Sequence, residues 1–166
     1  MCMDKLVAEL LNLLSEMLAG QERLLKLALA RREAMRTYDV ERMEAIAIQE
    51  RTEMQTMVVV NRKRQVLVAQ FRTLLGRNVE PTVSEIAKRV AEPTKSRLLG
   101  LAGQLKQTVE QVERNTRINA TVSDTVVKGL AKVLKVVTGL AQHAGLYLRN
   151  GRKAALHGIH LLEITA

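Results

Sequence analysis

The residues of this chain best suited to chemistry are few. His157 and His160 stand three apart, a spacing that can bring two imidazoles to one metal on a helix, and Glu163 continues the step. No other cysteine, aspartate or glutamate joins them, and a closed structural site needs four ligands, so the trio reads as a tail rather than a ligand set. Cys2 is the single cysteine; it makes no internal disulfide and lies too near the start to suggest a nucleophile. There is no glycine-rich phosphate loop, no Ser-His-Asp arrangement and no carboxylate pair placed for acid–base work. Asp39, Glu41 and Glu44 are explained by attraction to the positive end of the helix that follows them. The residues thus point to no enzyme, no cofactor and no metal.

What remains is recognition. Leu98, Ala102, Leu105, Val109, Val112, Thr116, Asn119, Ser123, Val126, Leu130, Val133, Val137, Leu140 and Ala144 alternate steps of four and three. That spacing puts them on one stripe of a single helix. A helix over 94–144 extends roughly 75 Å at about 1.5 Å per residue, more than a compact globule of this length needs. The members up to Val112 are expected in a core, and Val126 to Leu140, with lysines nearby, form the candidate partner-binding surface. Thr116, Asn119 and Ser123 put polar groups on the stripe, where they can fix register or partner specificity.

Composition agrees with helix–helix seams. Of 166 residues, 47% are hydrophobic but only 2% aromatic, namely Tyr38, Phe71 and Tyr147. Cores of Leu, Val, Ala and Met suit helices better than a β-sandwich or a ligand pocket. The net charge of +9 is uneven, because no acid occurs between Thr125 and Leu162 while Lys128, Lys132, Lys135, Arg149, Arg152 and Lys153 do. An acidic partner is implied at that end. Nucleic acid would bring more arginine and stacking rings. Arg62-Lys63-Arg64 is expected to be solvent-facing charge. No window approaches the about 18 uncharged apolar residues of a membrane span, and Asp4-Lys5 opens no signal peptide. A cytoplasmic location is the expectation.

The elements that must carry the stripe follow from periodicity. A first helix is predicted over about 4–36 with two adjacent apolar rows, and Asp39 is placed to N-cap a second over 40–75, stopped by Gly76. Thr82 and Glu85 have capping-box spacing for a short helix over 83–91, and Pro93 fits the first turn of the long helix over 94–144. Val- and Gly-rich residues 121–140 should be its weaker half, with Gly129 and Gly139 inside. The fold expected is all-α, an elongated antiparallel helical hairpin or three-helix coiled-coil-like bundle. Residues 1–144 make its helical domain and 145–166 a short flexible or hairpin tail around Asn150-Gly151.

In order, these features are a Leu-rich first helix, the break at Asp39, and a second helix with a charged middle (Ala45 to Arg64) ending at Leu74-Leu75-Gly76. Next come Ser84-Glu85, a long helix with Asn115 and Asn119, and Tyr147 just before Asn150-Gly151. This series resembles the FlgN family of flagellar type III export chaperones over most of the chain. The resemblance implies a cytoplasmic, ATP-independent chaperone that holds the C-terminal helices of hook–filament junction proteins and brings them to the cytoplasmic domain of the export gate. It places client binding on Asn119, Val122, Val126, Leu130, Val133, Val137 and Leu140, and export-gate docking on Tyr147. Three other readings remain open: a basic nucleic-acid-binding helical protein, a coiled coil that self-associates as a homodimer, and a membrane-surface protein attached through residues 126–148.

Overall fold

A computed structural model describes residues 3–76 and 79–144, with only the helical backbone for 140–144. The His157, His160 and Glu163 trio, Cys2, Tyr147 and the tail over 145–166 lie outside the described residues. Four helices follow in order: α1 (Met3–Arg36), α2 (Val40–Leu75), α3 (Val83–Ala87) and α4 (Thr94–Ala144). The fold is all-α and bundle-like, with no strand among the described residues. The chain divides into two compact units, Met1–Thr121 and Val122–Ala166. That boundary falls inside α4, upstream of Ala144.

In the first unit α1 and α2 pair closely. Their contacts bring Arg31 to Glu50, Arg23 to Glu53, and Lys63 to Glu16, a descending order that makes the two helices antiparallel. They approach closely at Gly20, where a Cβ would collide with the Met57 thioether. Lys63 of the basic triplet is exposed and spans to Glu16 at 3.2 Å. Such exposed pairs are worth a few tenths of a kcal/mol to about 1 kcal/mol each.

The turn between α1 and α2 uses three residues. Asp39 N–H donates to Ala34 O at 3.0 Å and Tyr38 N–H to Met35 O at 3.3 Å, the paired bonds of a Schellman ending. Tyr38 holds the left-handed position at φ 55°, where glycine is the usual occupant. Asp39 then starts α2, its carboxylate accepting from Arg42 N–H at 3.0 Å. One residue closes the first helix and opens the second.

The core lies where α1, α2, α3 and the start of α4 meet. Leu6, Val7, Leu10, Leu13 and Leu14 of α1 pack with Val60, Leu67, Phe71 and Leu75 of α2, Ile86 of α3 and Leu98 of α4. Thr82 caps α3 by accepting from Glu85 N–H at 3.2 Å. The short helix ends at Ala87 rather than at Ala91. Arg89 and Val90 turn back to Ile86 and Ala87 with three-residue steps, which aims the chain into Pro93 and α4. Glu92 accepts from Ser96 N–H at 3.1 Å and its hydroxyl at 2.7 Å at the start of α4, and these bonds hold its carboxyl below the ordinary value.

Candidate partner-binding site

Along α4 the ladder passes from covered to bare. Leu98 is fully buried, and Leu101, Leu105, Val109 and Val112 are half-buried. Asn119 is 5% exposed, the one buried polar side chain among the described residues. Val122 and Ser123 are half-buried. Beyond them the apolar positions open: Val126 is 37% exposed, Leu130 64%, Val133 60% and Val137 55%.

Asn119 is occupied inside the first unit. Its amide Nδ2 donates to the Ala28 carbonyl of α1 at 2.7 Å, and its Oδ1 accepts from Arg32 Nε at 3.3 Å. A second arm of that guanidinium, Nη2, donates to Asn115 Oδ1 at 2.8 Å, while Asn115 Nδ2 donates back to Gln111 O. A charged donor facing two amide oxygens makes the stronger kind of hydrogen bond. Arg32 thus ties both asparagines of α4 to α1. Periodicity gave no hint of it, since an arginine in a charged run reads as solvent-facing.

In the second unit the sequence-predicted residues Val126, Leu130, Val133 and Val137 share one open face. The backbone of Leu140 continues the helix, and its side chain is not described. Val127 at 64% exposed and Leu134 at 64%, seven residues apart, form a neighbouring row that the single-stripe reading missed. Their heptad spacing was the available signal. Gly129 and Gly139 have nothing within 4 Å of a would-be Cβ, so no packing offsets their poor helix propensity. Lys128 pairs with Asp124 at 2.6 Å one turn earlier. Among the described residues no cluster of three or more His, Cys, Asp or Glu could hold a metal ion, and no helix is long and apolar enough to cross a membrane.

A helical bundle whose longest helix ends in a broad open apolar face defines an all-α protein. No curated protein and no solved structure matches the chain. The sequence profile of the FlgN protein family does, over residues 1–155, and the chain belongs to that family. The general role of the family is that of flagellar export chaperones.

Proposed function

We propose that this protein is a cytoplasmic chaperone for hook–filament junction proteins and lays their C-terminal helices along the open face of α4. It keeps those helices from assembling early and carries them to the cytoplasmic domain of the type III export gate. The observation that carries the reading is the run of exposed Val126, Leu130, Val133 and Val137 in a chain of the FlgN family. Val122 and Leu140 extend the client strip at either end. Asn119, tied to α1, marks where the strip begins. Tyr147 serves docking to the gate, as the family resemblance implies.

The chemistry suits reversible holding. An amphipathic client helix needs its apolar stripe covered, and an i, i+4, i+7 ladder of Val and Leu covers it in the helix-in-groove manner. Ordering a Val- and Gly-rich helix on binding subtracts from the affinity, which favours release at the gate. Lys128, Lys132 and Lys135 speed the encounter with an acidic client.

The test is titration calorimetry of the full chain against the C-terminal helical segment of a junction protein from the same genome. One-to-one binding at micromolar Kd or tighter is expected, and Leu130→Asp with Val133→Asp should weaken it at least tenfold with helix content unchanged. Absence of heat with wild-type protein, or equal binding by the double variant, overturns the reading. Sedimentation of the client-free protein separates it from a self-associating coiled coil, which would run as a dimer through the same face.

A further inference from the structure

The open face of α4 is wider than one helical partner needs. At about 3.6 residues per turn the exposed apolar side chains sweep from Val136, through Val133, Val126 and Leu130, to Val127, roughly 180° of the helix circumference. A face meeting one core or one helix spans about 100°. The positions flanking the central strip are Gly129 and Val136 on one side and Val127 and Leu134 on the other. In helix pairs such flanks carry the charges that choose register and partner; here they carry none. The polar remainder is cationic: Lys128, Lys132 and Lys135 lie within roughly 60° of one another and nearly opposite the apolar arc. Asp124, paired with Lys128, stands at its upstream edge, and no acid follows until Glu163.

A broad, uncharged apolar arc backed by lysines is the pattern of a helix that lies in a membrane interface. No described helix is long and apolar enough to cross a bilayer, which leaves the in-plane orientation. We infer that residues 124–139 of the free protein bind the surface of an anionic lipid bilayer, with the Val/Leu arc set into the headgroup–acyl boundary and the three lysines toward the phosphates. Each lysine acts within the screening length of about 8 Å at physiological ionic strength. A second helix would leave half of the arc wet, whereas a lipid surface covers it without requiring register. The inference uses only this face and its charges; it stands or falls without any client.

The experiment is vesicle co-sedimentation of the full chain with phosphatidylglycerol–phosphatidylcholine vesicles and with pure phosphatidylcholine. Binding to the anionic vesicles at least tenfold stronger than to the neutral ones, and reduced by 0.5 M salt (about a 4 Å screening length), is expected. Lys128→Gln, Lys132→Gln and Lys135→Gln together should cut the partitioning about tenfold while helix content holds. Leu130→Asp with Leu134→Asp should abolish it. Ile48→Asp with Val66→Asp, on the exposed side of α2, should leave it unchanged. No partitioning into anionic vesicles overturns the inference, as does equal loss in the α2 variant. Steeply salt-dependent binding of a DNA duplex without vesicle binding would assign the lysines to nucleic acid instead.

Discussion

Replacing Asn119 by alanine should destabilise the first unit by about 2 kcal/mol. The side chain is 5% exposed and gives up two interactions, the bond to the Ala28 carbonyl at 2.7 Å and the one from Arg32 Nε at 3.3 Å. A neutral bond nets about 1 kcal/mol, and the longer, charge-assisted one falls near the lower end of the roughly 1.5–3 kcal/mol range for such bonds. Two features limit the loss: Ala28 O keeps its partner within α1, and Arg32 keeps Asn115 at 2.8 Å. For a chain of this size about 2 kcal/mol corresponds to a Tm lower by roughly 4–8 °C. Arg32→Ala should cost a similar amount, and the two losses should overlap by about 1 kcal/mol in a double-mutant cycle. Arg32→Leu with Asn119→Leu should return to within about 1 kcal/mol of the parent, because both polar groups leave together. The chain has no tryptophan, so urea unfolding is followed by circular dichroism at 222 nm. A cost below about 0.5 kcal/mol for Asn119→Ala, or strictly additive single losses, would refute the claim that this network holds α4 to α1.

Three further outcomes follow from burial and backbone geometry. Leu98→Ala should cost about 3 kcal/mol in urea unfolding and Leu130→Ala less than about 0.5, since the first is fully buried and the second 64% exposed. Tyr38→Gly should stabilise by about 1 kcal/mol, because φ 55° strains any side chain and the ring is 77% exposed with little packing to lose; a lower urea midpoint would show that the ring does more than the turn explains. Gly129→Ala should add up to about 1 kcal/mol of helix stability, with nothing within 4 Å to obstruct the methyl group. Slower amide exchange over residues 126–139 would register it, and unchanged exchange would mean that glycine is not what weakens this stretch.

The helices were legible because their punctuation is local. Asp39 and Gly76 act through their own backbone neighbours, so capping chemistry located the breaks around α2. Lys88 to Ala91 misled for the opposite reason: these residues tolerate a helix, and it is the approach to Pro93 and the burial of Ile86 that turn the chain there. Arg32 could not be read at all. Its meaning depends on Asn115 and Asn119, more than eighty residues away, and nothing in a charged stretch of α1 marks one arginine as a tie. The apolar face was legible in direction but not in width. A single 4-3 ladder takes in Val126, Leu130, Val133 and Val137 and passes over Val127 and Leu134, whose heptad spacing alone does not tell an exposed row from a buried one.

The tie at Asn119 also divides α4 into a part whose register is fixed and a part whose length is free. Seven residues inserted ahead of Thr108 would carry Val112 into the place opposite Ala28 and Thr108 into the place of Asn115, and so strand the Arg32 guanidinium. The same seven inserted after Ser123 would leave every bond of the first unit untouched and extend the ladder by two rungs. The length of the open face can therefore change in whole heptads while the bonds of the first unit stay the same.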